Sequence, residues 1–319
     1  MKGDDHIEVV IVTRNSAGHI GPCVESIVAV GALPVIVDNG STDNTLKIVR
    51  SCCPGAKIIA TGENLGCGRA LNVGFKETTG DFVILSNPDV VFLDDSISQM
   101  TEFLRKDRRV GVTGPQQMFP DRSWQRSYGD LPGIWSGIKD AVGITTLRNG
   151  ARRTLWPRRI DRKPKEVPYV DGAVLAVRRE AFLEMGGFDE EFFIYSGECD
   201  LCARLTKAGW KTVFFPLAEV IHIRGADSVR VDNSDRFVRQ MVDGQRKLAK
   251  KHLPLWQAEF YMRSQWVSFV LKAVACRCAR IVLPKRMGTR RMMARIQFFE
   301  TYLRVFSECV TDGSAGTKR

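Results

Sequence analysis

The chain has 319 residues, of which 44% are hydrophobic and 26% charged, with a formal net charge of +11 at pH 7. That length suits one large domain with an appendage, or two domains, and the composition is that of a globular protein rather than a disordered one. The charge is uneven: Ser234 to Arg319 hold 6 Lys and 12 Arg against 6 acidic residues, +12, which leaves −1 for the first 233 residues. A basic character of this kind bears on partners of the C-terminal part.

Met1-Lys-Gly-Asp-Asp-His leads straight into a strand pattern, so no signal peptide is expected. Glu8–Thr13 is a short apolar, β-branched run of the kind found in central strands, ended by Arg14-Asn15-Ser16. Ser16 caps a helix reaching about Val30. Val35–Val37 is the second strand and runs into the turn cluster Asp38-Asn-Gly-Ser-Thr-Asp43, where Thr42 or Asp43 caps a helix through Val49. Ala56–Ala60 is the third strand, and Asn64–Asn72 opens a helix reaching about Thr78. Asp81–Leu85 is a fourth strand, stopped at Ser86-Asn87-Pro88-Asp89 because Pro88 has no N–H for a sheet ladder. The order β-α-β-α-β-α-β at short spacing predicts an α/β fold with a mostly parallel sheet. Asp38 and Asp89 then fall at carboxyl ends of strands, where open α/β sheets bind ligands. For Asn87-Pro-Asp89 the local turn preference of the same residues is an equal alternative.

A helix follows from Asp95 or Ser96 to about Arg105, then a strand at Val110–Thr113. Residues 119–167 read as a long polar, aromatic and basic loop with several Pro and Gly. Tyr169–Val177 is a strand broken by Asp171-Gly172-Ala173, Arg179–Met185 a short helix, Glu198–Ala208 a helix, and Thr212–Phe215 and Val220–Ile223 two strands. From Asp235 the pattern is helical and basic, broken at Pro254 and Pro284. Gln265–Leu283 is the most apolar part, but Lys272, Arg277 and Arg280 interrupt it, which rejects a spanning helix. Trp266, Phe269, Val270, Ala273 and Val274 form one face; Phe298, Phe299, Tyr302, Leu303 and Phe306 follow a cluster of Lys285, Arg286, Arg290, Arg291 and Arg295. Helices lying on an anionic membrane surface and helices packed on the catalytic domain both fit this pattern. A nucleic-acid partner is not expected, since no such motif accompanies the charge. The nine cysteines are odd in number and irregular, so reduced thiols in a cytoplasmic protein are expected, and Cys199-x-x-Cys202 lacks the second pair that structural zinc requires.

Several of these segments form one ordered series. Val10-Ile-Val-Thr-Arg-Asn15, Asp38-Asn-Gly-Ser-Thr-Asp43, Asn64-x-Gly-x-Gly-x-Ala-x-Asn72, Asn87-Pro-Asp89, Asp171-Gly-Ala173, Gly186-Gly-Phe-Asp189, Glu198-x-Asp200-Leu-Cys-x-Arg204 and His222 ahead of Gly225 and Ser228 resemble glycosyltransferase family 2. The series spans roughly residues 7 to 228 and is most similar to the bacterial rhamnosyltransferase-like members. The resemblance implies a glycosyltransferase A catalytic domain over 1–233, with a nucleotide-sugar half to about 115 and an acceptor half at about 168–233. Residues 234–319 then form a basic helical extension.

The resemblance also implies inverting transfer from a nucleotide diphosphate sugar, with L-rhamnose from dTDP-rhamnose as the first expectation. UDP-GlcNAc, UDP-galactose and GDP-mannose are the alternatives. The expected acceptor is a cell-envelope glycan, polyprenyl-linked, met at the inner face of the plasma membrane; a dimer is left open. It implies Mg²⁺ or Mn²⁺ on the donor diphosphate, hard cations suited to oxygen ligands, with Asp89 as direct ligand and His222 as second ligand. Asn87 departs from the family's Asp-x-Asp pattern and adds no charge. Thr13, Asn15 and Asp38 line the nucleotide pocket, Arg69 pairs with the nucleotide, and Asp171 contacts sugar or acceptor hydroxyls. Displacement with inversion needs a base for the acceptor hydroxyl; Glu198 is expected in that role with Asp200 supporting it, although an N-capping carboxylate is the competing reading for this pair. A non-catalytic nucleotide-binding protein on the same fold and a nucleotidyltransferase are the rival functions. The latter fits poorly, because Thr13–Gly18 is no Gly-rich phosphate loop.

Overall fold

A computed structural model of the protein describes residues 7–155, 163–223, 235–282 and 289–315. Gly225, Ser228, Lys285 and Arg286 lie outside the described residues, as do the side chains of Arg290 and Arg291. The elements in order are β1 (Glu8–Thr13), α1 (Ile20–Ala29), β2 (Leu33–Asp38), α2 (Thr45–Cys52), β3 (Lys57–Ala60), α3 (Cys67–Lys76), β4 (Phe82–Ser86), β5 (Val90–Phe92) and α4 (Ser96–Lys106). They continue with β6 (Val110–Met118), β7 (Tyr128–Gly129), α5 (Ile134–Ala141), α6 (Ile144–Leu155), β8 (Lys165–Glu166), β9 (Tyr169–Val170), β10 (Val174–Arg178), α7 (Arg179–Glu184), α8 (Gly197–Lys207) and β11 (Lys211–His222). Three long helices close the chain: α9 (Asp235–His252), α10 (Leu255–Val282) and α11 (Thr289–Ala315).

The main sheet runs β3-β2-β1-β4-β10-β6-β11-β5, with β8 on β11. β3, β2, β1 and β4 are parallel. β10 is antiparallel to both β4 and β6, and β6 and β11 are parallel to one another. Strands β1, β2, β4, β6 and β11 therefore all end on the same edge, and β10 begins there. Alternation explains the unbroken apolar runs: Val9 and Ile11 face one core with Ile20, Val24, Met100 and Leu104, while Val10 faces the other with Phe75, Phe182, Leu201 and Leu205. Helices thus cover both faces.

Four departures from the sequence pattern stand out. Pro88 ends β4, but the chain re-enters the sheet at once as β5 on the far edge, antiparallel to β11. The two strands expected at 212–223 are one strand, with a register shift between Phe215 and Glu219 against β6, a bulge of the kind that re-aims a strand end. Residues 119–167 are not one long loop: they hold β7, α5, α6 and β8. The expected caps Ser16 and Thr42 are replaced by N-caps His19 and Asn44, neither with a side-chain cap bond. Asp43 instead accepts from Thr45 N and Ala17 N.

By compactness the chain forms two units, residues 1–131 with 151–226, and residues 132–150 with 227–319. The second holds α5 and the three long helices, joined by a core of Val238, Val242, Met262, Tyr302, Val305 and Phe306. No helix among the described residues is long and apolar enough to cross a membrane.

Candidate active site

Thr13, Asp38, Asn87, Asp89, Asp171 and His222 sit at the edge where β1, β2, β4, β6 and β11 end and β10 begins. At its β1–β2 end, Thr13 and Asp38 are register partners and both are buried. Asp38 accepts from Ser41 N through both oxygens, at 3.3 Å each. Asn15 adopts a left-handed conformation (φ 51°) that turns its side chain back on the second turn. Its Oδ1 accepts from Thr42 N at 2.8 Å, and its N donates to Ser41 Oγ at 3.0 Å. Asn15 is thereby a clamp between the two strand ends, its side-chain oxygen already engaged.

The Gly-rich segment builds the wall beside this corner. Asn39 donates to Asn64 Oδ1 and Gly66 O and accepts from Leu65 N. Gly66 has φ +83°, and a Cβ there would meet Phe193 O at 2.5 Å, so only glycine fits. Asn72 exchanges two 2.8 Å hydrogen bonds with the backbone of Phe188. The Asn64–Asn72 and Gly186–Asp189 motifs are thus two sides of one contact. Arg69, expected to pair with the nucleotide, is exposed on α3 and pairs with Glu190 at 3.4 Å.

At the middle of the edge, β4 delivers Asn87, whose N donates to Ala173 O at 2.9 Å. Two residues on, Asp89 meets His222 at the end of β11: Nε2 lies 3.5 Å from Asp89 Oδ1. His222 is buried, and its Nδ1 lies 3.0 Å from Gln117 Oε1 and 3.1 Å from Gln125 Oε1. Gln125 is oriented by its Nε2 donating to His222 O. Two side-chain oxygens face Nδ1, so Nδ1 is the nitrogen that keeps its hydrogen when a cation takes Nε2. Burial works against a charge on Asp89, but the His222 hydrogen bond and ring outweigh it and hold the carboxyl below the usual range. An imidazole nitrogen and a carboxylate oxygen 3.5 Å apart are a donor pair that a cation can take in place of the hydrogen between them. Asp89 and His222 fit an ion whose remaining ligands come from a bound diphosphate and water. Among the described residues there is no cluster of three or more His, Cys, Asp or Glu that would hold a metal by protein groups alone.

The two glutamines belong to no motif, and nothing in the sequence pattern marks them. They are part of a buried polar layer. Gln116 Nε2 donates to Gln117 O, Gln125 O and Ser127 Oγ, while Ser127 Oγ accepts from Gln117 N. Ser127 O then accepts from Asp171 N at 2.9 Å, linking the His222 end to the third part of the edge.

There Glu198, in the first turn of α8, packs its side chain against Gly172. Burial, with the Asp171 carboxylate beside it, pushes its pKa up to about 7; Arg126 and the Cys199 thiol pull the other way. The helix N-terminus alone would have lowered it. Asp200 has a different character. It is 0% exposed and bound by Arg204 Nε at 2.7 Å, and the same guanidinium donates to Met185 O and Gly187 O. Asp200 holds α8 to the Gly186-Gly187 turn, and its carboxylate is spent on that contact.

Residues 8–186 match glycosyl transferase family 2, and residues 158–299 match glycosyl transferase family group 2. An N-acetylglucosaminyl-diphospho-decaprenol L-rhamnosyltransferase of Mycobacterium tuberculosis is 34% identical over 269 residues, covering 80% of this chain and 87% of that protein. Rhamnosyltransferase WbbL of Escherichia coli is 24% identical, covering 77% of this chain and 94% of its own length. Among solved structures, a mannosyltransferase of Pyrobaculum calidifontis in complex with GDP-Man and Mn²⁺ superposes with a TM-score of 0.59 at 16% identity. The superposition covers 96% of this chain and 87% of that one.

Proposed function

The chain belongs to glycosyl transferase family 2 and has the glycosyltransferase A fold, and on that premise we propose that it is an inverting, metal-dependent rhamnosyltransferase. It moves L-rhamnose from dTDP-rhamnose to a polyprenyl-diphosphate-linked glycan. The observation that carries this reading is the Asp89–His222 pair, with its imidazole nitrogen and carboxylate oxygen 3.5 Å apart. The M. tuberculosis relative, whose name specifies rhamnose and a decaprenol-diphosphate acceptor, supports the donor sugar and the acceptor class.

In this reading Asp38 and Thr13 hold the pyrimidine end of the donor, and Asp89 and His222 hold Mg²⁺ or Mn²⁺ on its diphosphate. The ion supplies Lewis-acid stabilisation of the charge that develops on the departing group. The Mn²⁺ held with GDP-Man by the Pyrobaculum mannosyltransferase supports a divalent ion in this fold. Asn87 orients a phosphate or metal-bound water without adding charge. Glu198 takes the proton from the acceptor hydroxyl as it attacks the anomeric carbon. A carboxylate with a pKa near 7 is well matched to that task, since about half is ionised at neutral pH and its basicity is high. Asp171 sits beside it to contact sugar or acceptor hydroxyls. Asp200 acts through Arg204, fixing the start of α8 and so the place of Glu198. The proposed setting is the cytoplasmic face of the plasma membrane, where a nucleotide sugar and a lipid-linked acceptor meet.

The test is nucleotide release by the purified protein with polyprenyl-diphosphate-GlcNAc as acceptor and dTDP-rhamnose, UDP-GlcNAc, UDP-galactose or GDP-mannose as donor. Release of dTDP that needs both acceptor and Mg²⁺ or Mn²⁺ is the expected result. Turnover of another donor overturns the rhamnose assignment, and metal-independent turnover overturns the role of Asp89 and His222.

A further inference from the structure

Among the described residues, α10 of the C-terminal unit exposes a long apolar stripe. On α10, Trp256, Phe260, Val267, Leu271 and Val274 are exposed by 62, 40, 40, 52 and 48%. At 100° per residue they fall within about 60° of one another, a single stripe roughly 27 Å long. The opposite side of the helix is occupied: Met262 joins the core of the unit, Phe269 stacks on Tyr302 at 3.6 Å, and Gln265 and Ser268 donate to Asp140 of α5. The faces expected from sequence are therefore divided differently. Phe269, Ala273, Tyr302 and Phe306 hold the helices together, and a separate stripe is left over.

Charge decides what covers it. Arg263 is exposed and falls on the same stripe, between Phe260 and Val267. Lys247, Lys250 and Lys251 are exposed at the end of α9, just before the stripe begins, and residues 234–319 carry +12. A second copy would bring an equal positive charge to the same face. An anionic lipid surface supplies the opposite charge to the lysines and an apolar boundary layer to the stripe. No helix among the described residues is long and apolar enough to cross a membrane, so a bound α10 would lie along the surface.

We propose that the exposed face of α10, from Trp256 to Val274, docks the protein on an anionic lipid bilayer. This deepens the reading of a lipid-linked acceptor and rests on it for its purpose: docking confines the search for acceptor to the membrane plane.

The experiment is co-sedimentation of the full chain with sucrose-loaded vesicles of phosphatidylglycerol or phosphatidylcholine. Wild type should partition at least tenfold more strongly to phosphatidylglycerol. The variant Trp256→Ser/Phe260→Ser/Leu271→Ser should lose at least tenfold on the same vesicles, with its circular dichroism and nucleotide binding unchanged. Arg263→Glu, which leaves the packing intact, should lose severalfold. Equal binding to both lipids, no binding to either, or full binding by both variants overturns the proposal. So does a wild-type dimer that the triple variant dissociates, which would assign the stripe to a second copy. The vesicles contain no glycan lipid, so a failure of the acceptor reading leaves this result standing.

Discussion

His222 Nε2 faces Asp89 Oδ1 across 3.5 Å, because Asp89 leads into β5 and His222, the register partner of Val90, ends the antiparallel neighbour β11. The pairing depends on what lies behind the ring. Gln117 and Gln125 place the hydrogen on Nδ1 and so free Nε2 for an ion. Replacing both glutamines by Leu removes the acceptors and leaves the tautomer unspecified. Mn²⁺ affinity in the presence of dTDP, read by electron paramagnetic resonance, should fall about 10–100-fold. Gln125→Glu, which keeps an acceptor oxygen, should retain most of the affinity. Equal Mn²⁺ binding by the double Leu variant would show that the glutamines only fill space.

Glu198 gives the reaction its pH dependence. It serves as base only when ionised, so kcat should rise with pH through about 7. Asp171→Asn removes the neighbouring like charge and should move that limb to lower pH, whatever it does to KM. The same group sets a stability slope of opposite benefit. Between its ordinary 4.5 and about 7 the folded protein holds a proton that the unfolded chain has lost, so stability falls as pH rises through that window. Glu198→Gln should abolish transfer and, above pH 7, stabilise the fold by roughly 1–3 kcal/mol. An unmoved limb in Asp171→Asn would exclude the electrostatic coupling.

Asp200 should behave as a structural residue. Removing it strands Arg204, whose side chain is mostly buried and also ties down Met185 and Gly187. Asp200→Ala should cost about 3–5 kcal/mol in urea unfolding, whereas Glu198→Gln should not. If Asp200→Ala unfolds like wild type yet loses turnover, Asp200 belongs to the chemistry directly.

Gly66 tests whether the Gly-rich segment acts through packing. With φ +83° and Phe193 O at 2.5 Å from a built Cβ, Gly66→Ala should destabilise by about 1–3 kcal/mol. It should also weaken donor binding, because Asn39 and Asn64 are held by the same loop. Unchanged melting would show that the 188–193 turn yields freely.

Much of this edge was legible in the chain because strand runs and turn clusters have local causes. The Asp38 and Asp89 positions follow from apolar runs that stop at residues unable to continue them. What escaped had no local cause. The glutamines behind His222 look like any polar residues until β6 and the 119–127 segment are folded over β11. β5 was hidden by Pro88, which ends one strand and begins a return to the sheet. Asp200 looked like Glu198, and only three-dimensional packing gives one to Arg204 and the other to Gly172. The C-terminal helices were recognisable by period, but which aromatic faces inward depends on partners far away in sequence.

The central claim is that Asp89 and His222 together hold a divalent ion on the donor diphosphate. The most direct measurement is calorimetric titration of dTDP, UDP and GDP into wild type, Asp89→Ala and His222→Ala, each with Mn²⁺ and with EDTA. Wild type should bind dTDP at least tenfold more tightly with Mn²⁺, and both variants should lose that gain. Nucleotide binding that ignores EDTA, or variants that keep the full Mn²⁺ gain, would contradict it.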